Sequence, residues 1–208
     1  MKNLRKKNQK LLKDNHVYYE NQEHDACGVG LVASTEGRKS RKVVEYGIEA
    51  LKAVWHRGAV DADGKTGDGA GIHIEIPQDF FVEKIENTGH KHDNSEVCVG
   101  MIFLPRNNYS AQEQCRTIIE SVLTKKDFNI YGWRQVPVNP SVLGEKAEIT
   151  RPEIAQVLFK HNDRSKIGKN LEVKLYEARR IIEKEASKNN LNNFYICSFS
   201  SKSIIYKG

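Results

Sequence analysis

Strand-like segments arranged beside helix-like segments predict an α+β fold with a largely antiparallel sheet. Three observations carry this expectation. Residues 71–76 alternate, with Ile72, Ile74 and Ile76 on one face, His73 and Glu75 on the other, and Pro77 closing the run. Residues 171–188 place Leu171, Leu175, Ala178 and Ile182 on one helical stripe. Residues 194–199 and 203–206 are two short apolar runs around Ser200-Ser201-Lys202, the pattern of a hairpin. A chain of 208 residues can bury one good core or two small ones. With 38% hydrophobic and 29% charged residues its surface is polar, and no apolar run approaches the ~20 residues of a membrane span.

Residues 1–24 are rich in Lys, Asn and Gln and show no sustained period. They lack the apolar centre of a secretory signal, so they read as a disordered extension or as a propeptide ending at Ala26. Residues 1–26 hold six basic and four acidic groups, a net of +2 that leaves +4 of the total +6 for residues 27–208. Such a tail could touch nucleic acid, but a solvated tail is the favoured reading. The cysteines Cys27, Cys98, Cys115 and Cys197 lie far apart with no C-x-x-C pair, which signals neither a zinc knuckle nor a short-range redox couple. Reduced thiols in a cytoplasmic protein are expected.

A first strand is expected from Gly28 to Ala33, followed by a turn at Glu36-Gly37-Arg38. A helix from Lys42 to Trp55 has Val44, Ile48, Leu51 and Trp55 as its stripe and should pack on the sheet that begins with that strand. Gly58 can cap it in the left-handed region. A short helix covers 79–85, a polar loop 87–96, and a strand 97–104. Ser110-x-x-Glu113 reads as a capping box opening a helix to about Thr124. Strands at 130–136 and 154–159 flank a loop begun by Pro137 and Pro140.

The chemistry-bearing stretch is Asp25-Ala26-Cys27-Gly28-Val29-Gly30. A cysteine exposed as the first residue of a mature chain would carry nucleophile and base together, because its α-amine, of pKa ~7.7–8.0, can take the thiol proton. The alternative is a small buried cysteine opening a core strand. Arg57 has two readings as well: a cation at the negative end of a helix dipole, or a guanidinium ordering the carbonyls of a site loop. For His56 and for His90 and His92, structural or solvated imidazoles are favoured over ligands. The run Asp61-Ala62-Asp63-Gly64-Lys65-Thr66-Gly67-Asp68-Gly69-Ala70-Gly71 tempts a phosphate-loop assignment. Its glycine spacing fails, its aspartates would repel phosphate, and no strand directly precedes it. Glycines at alternate positions instead suggest backbone lying close to another backbone or a ligand.

Taken together, Cys27-Gly28-Val29-Gly30, Trp55-His56-Arg57-Gly58, the 61–69 run, Tyr131-Gly132-Trp133-Arg134 and Phe194-Tyr195-Ile196-Cys197-Ser198 closely resemble the class II glutamine amidotransferase domain that opens glutamate synthase large subunits. The resemblance runs from about residue 24 to the last residue. It implies the N-terminal-nucleophile hydrolase fold, an αββα sandwich of mainly antiparallel sheets, of which only the first part would be present. It implies that residues 1–26 are removed and that Cys27 attacks the side-chain amide of glutamine, with Arg57, Gly58, Asp68 and Gly69 supporting the pocket. Ammonia would pass to 2-oxoglutarate in the full enzyme, with the rest of the large subunit and the small subunit as partners. FMN and an iron–sulfur cluster would lie outside this segment, with no cofactor or metal on it.

The family's Asn-Gly oxyanion pair and Tyr-Ser-Thr element are not found in this sequence. Loss of one oxyanion donor can cost ~10²–10³ in turnover, so an inactive fragment is an alternative, as is another class II amidotransferase.

Overall fold

The computed structural model describes residues 2–15, 28–55, 58–163, 165 and 168–207. Its elements are α1 (Lys2–Asp14), α2 (Arg41–Ala53), β1 (Gly71–Glu75), α3 (Gln78–Glu86), β2 (Cys98–Leu104), α4 (Tyr109–Lys125), β3 (Phe128–Gln135), α5 (Glu145–Thr150), β4 (Glu153–His161), α6 (Gly168–Lys188), β5 (Tyr195–Ser200) and β6 (Ser203–Lys207). One antiparallel sheet has the order β3-β4-β2-β5, and a second pairs β1 with β6. The architecture is α+β, as the sequence pattern predicts.

Strand β2 organises the interior because its side chains alternate between two cores. Cys98, Ile102 and Leu104 join Ile119, Leu123, Val157, Phe159, Leu175 and Ile182, a core roofed by α4 and α6. Val99 and Met101 point the other way, to Ile76, Phe81, Ile85, Leu158 and Ile204, between the two sheets. With α2 packed on β1, the layers run helix, sheet, sheet, helix. The α6 stripe is buried as its spacing requires: Leu171, Leu175, Ala178 and Ile182 are 0–2% exposed.

Several local expectations give way. Residues 28–33 form no strand, and Val29 and Leu31 are 90% and 91% exposed. An apolar alternation becomes a strand only where a partner edge accepts its hydrogen bonds, and among the described residues none pairs with this one. Helix α2 therefore packs on β1, where an added Cβ at Gly47 would stand 3.4 Å from Ile72 Cδ1. Trp55 lies beyond the end of α2 and is 74% exposed. Val54 caps α2 with φ −95°, so Gly58 does not. The α4 cap is Asn108, whose side chain accepts from the Ala111 amide at 3.0 Å, and Ser110 already lies inside the helix. Residues 2–14 form α1; Lys, Arg, Gln and Leu are strong helix formers, and neither Gly nor Pro interrupts residues 1–26.

The apparent hairpin at the end of the chain is a crossover between sheets. β5 pairs with β2 and β6 with β1, both antiparallel. Glu172 of α6 holds the corner, accepting from Ser200 Oγ (2.9 Å), the Ser201 amide (2.8 Å) and Ser201 Oγ (2.9 Å).

Candidate active site

The stretch from Gly58 to Gly69 folds as an exposed loop between α2 and β1. Val60 and Gly67 form an antiparallel bridge, and the Asp61 amide donates to the Thr66 carbonyl at 2.8 Å. Asp63 organises the tip. Its Oδ1 accepts from the amides of Lys65 (2.9 Å) and Thr66 (2.7 Å), and its Oδ2 accepts from Thr66 Oγ1 at 2.5 Å. These bonds, the Thr66 hydroxyl first, hold the Asp63 carboxyl down at about 2. A short acidic side chain that satisfies its own turn amides is the usual reason for Asp at such positions. Here it also removes the donors that a phosphate would need, and the preceding element is a helix, so the loop is no phosphate cradle.

At the base of the loop, Asp68 Oδ2 accepts from the Ala59 amide at 2.8 Å. Gly58 donates its amide to the Trp55 carbonyl at 3.0 Å, and Gly69 takes φ +83°. Gly58, Asp68 and Gly69 are thus brought to one place, all exposed. Asp68 acts on the backbone immediately after Arg57-Gly58. Beyond Gly69, Gly71 lies against β6, where an added Cβ would come within 3.0 Å of the Tyr206 carbonyl oxygen and of Lys207 Cβ. Of the alternate glycines, Gly71 serves close backbone approach, whereas Gly67 stands at an ordinary 3.4 Å from the Ala59 carbonyl oxygen and Gly69 serves by its positive φ. Cys27, His56 and Arg57 lie outside the described residues.

The loop is held from the far side of the chain by residues that local pattern did not single out. Lys146 Nζ meets Asp61 Oδ2 at 2.6 Å, and Gly144 lies directly on the Asp63–Thr66 turn. The lysine's partner is far away in sequence, which hides the contact from any local reading. Alongside, an apolar crevice of about 310 Å³ runs between the sheets, bordered by Leu51, Ile72, Met101, Phe103, Ile154 and Tyr206.

The remaining thiols are Cys98, Cys115 and Cys197, each free and buried. Burial pushes all three up, Cys115 to about 11. Among the described residues no group of three or more His, Cys, Asp or Glu is placed to hold a metal. No helix among them is long and apolar enough to cross a membrane.

The family model for class II glutamine amidotransferases matches residues 27–208. The chain belongs to that family, whose N-terminal-nucleophile hydrolase architecture the two stacked antiparallel sheets display. Similar proteins include glutamate synthases of two kinds. It is 53% identical over 193 residues to the glutamate synthase [NADPH] large chain of Azospirillum brasilense, a match covering 93% of this chain and 13% of that protein. It is 40% identical to the ferredoxin-dependent glutamate synthase of Pyropia yezoensis, over 89% of this chain and 12% of that one. For ferredoxin-dependent glutamate synthase 2 of Synechocystis sp. the identity is 39%, over 90% and 12% respectively. The chain thus spans about an eighth of the length of these relatives.

Proposed function

We propose that this chain is the glutamine-hydrolysing segment of a glutamate synthase large subunit, with Cys27 as its nucleophile. The observation that carries the reading is the family match, which opens on Cys27 itself and continues to residue 208. The 53% identity to a glutamate synthase large chain favours that parent over other amidotransferases.

The chemistry follows from the residue types. Once residues 1–26 are removed, the α-amine of Cys27 takes the thiol proton and the sulfur attacks the glutamine side-chain carbonyl. The C–S bond forms, the C–N bond breaks, and the leaving nitrogen takes that proton as ammonia. Water then attacks the γ-glutamyl thioester, releases glutamate and restores the thiol. Arg57, Gly58, Asp68 and Gly69 shape the backbone beside the pocket; Asp68 does so through the Ala59 amide. Ammonia is passed to 2-oxoglutarate in the remainder of the large subunit, where FMN and the iron–sulfur centre belong, together with the small subunit in the cytoplasm.

A glutamine-mimicking diazoketone followed by intact mass tests this. One adduct on Cys27 in a chain lacking 26 residues is expected. Cys27→Ser should abolish labelling, while Cys98→Ser and Cys197→Ser should leave it. An unlabelled chain still carrying Met1, or labelling that survives Cys27→Ser, overturns the assignment.

A further inference from the structure

We propose that Gly144 and Lys146, in the connection between β3 and β4, are the positioning residues of the glutamine site. They fix the Asp61–Asp68 loop and, through Asp68, the backbone that follows Arg57. The site half of this inference rests on the proposed function; the loop half rests on geometry alone.

The loop needs an external support. Its residues are exposed or half-buried, so no core packing holds it. Two contacts from one short segment supply the support. At Gly144 the backbone lies so close to the turn that an added Cβ would stand 2.1 Å from Thr66 Oγ1, 2.3 Å from Asp63 Oδ2 and 2.6 Å from the Thr66 amide nitrogen. Thr66 Oγ1 donates to Asp63 Oδ2 and the Thr66 amide to Asp63 Oδ1, so none of these groups can swing aside singly. Two residues on, Lys146 Nζ donates to Asp61 Oδ2 at 2.6 Å, while Asp61 Oδ1 accepts the Ala62 amide at 2.6 Å.

The other end of α5 is anchored to the central sheet. Glu148 accepts from Arg106 Nη1 (2.5 Å), just after β2, and from Arg151 Nε (2.8 Å) and Nη2 (3.2 Å), just before β4. Both arginines are partly buried, at 25% and 20% side-chain exposure. Helix α5 thus forms a strap, joined by Glu148 to the arginines beside β2 and β4 and by Lys146 to Asp61. From there the Val60–Gly67 bridge and the Asp68–Ala59 bond carry it to residue 58.

The test compares wild-type chain with Lys146→Met, Lys146→Arg and Gly144→Ala. It reads amide hydrogen exchange across residues 58–69 and the rate of Cys27 alkylation by the diazoketone. Lys146→Met should speed exchange at Ala59 and Thr66 by about two- to fivefold, the scale of an exposed ion pair, and Lys146→Arg should restore it. Gly144→Ala forces the turn to move and should slow alkylation by on the order of ten- to a hundredfold while the unfolding midpoint followed by Trp133 is kept. Wild-type exchange in both Lys146→Met and Gly144→Ala overturns the strap. Faster exchange with unchanged alkylation overturns its role at the site. If the wild-type chain is not alkylated, the proposed function fails, and the exchange comparison alone decides the strap.

Discussion

Asp63 shows how a single exposed carboxylate can set a loop without burial. Its two oxygens receive two turn amides and one hydroxyl, and the Thr66 hydroxyl is the leading cause of its lowered pKa, from 3.8 to about 2. Because the folded value lies below the unfolded one, the turn is fully supported above about pH 3.8 and loses that support as pH falls towards about 2. The Thr66 amide resonance should therefore titrate with a midpoint near 2 and should not titrate in Asp63→Asn. A midpoint near 3.8 would show that the carboxylate is free of the turn. Sequence spacing marks the 61–71 run as backbone lying close to another backbone or a ligand, and the resemblance names Cys27, Arg57, Gly58, Asp68 and Gly69. It is blind to Lys146, because an ion pair between residues 61 and 146 leaves no periodic trace in either segment.

Among the elements, those fixed by their own side-chain period are legible, and those fixed by distant partners are not. The stripe of α6 and the alternation of β1 survive folding because each buries one face on a neighbour. Helix α5 has six residues and no apolar stripe, and its tie to the sheet is the pairing of Glu148 with Arg106 and Arg151. Likewise β5 and β6 read as a hairpin by spacing alone, whereas Glu172 turns the chain from one sheet to the other. Across that corner the Ile205 amide donates to Ser198 Oγ at 3.2 Å. Removing the carboxylate would leave the amide and hydroxyl of Ser201, a residue only 2% exposed, without this acceptor. Glu172→Ala should cost about 1–3 kcal/mol, read as a lower urea midpoint with the same slope. A midpoint unchanged within error would mean that strand pairing alone makes the crossover.

At the scale of the molecule, two cores share one sheet, and that sharing decides how the chain unfolds. β2 sends Cys98, Ile102 and Leu104 to the core under α4 and α6, and Val99 and Met101 to the core between the sheets. Neither core can lose its packing without disturbing the strand that floors the other, so a single cooperative transition is expected. The two tryptophans allow a direct test. Trp133 packs against the α4–α6 core and donates its ring N–H to Glu120 at 2.7 Å, whereas Trp55 is 74% exposed and changes little on unfolding. Phe81 is fully buried in the other core. Phe81→Ala should therefore cost about 3–5 kcal/mol and move the Trp133 fluorescence transition and the far-ultraviolet circular dichroism transition together to lower denaturant. If the Trp133 transition stayed in place while circular dichroism showed an earlier, separate step, the cores would be independent. The 58–69 loop would then rest on a sheet able to outlive half of its own packing.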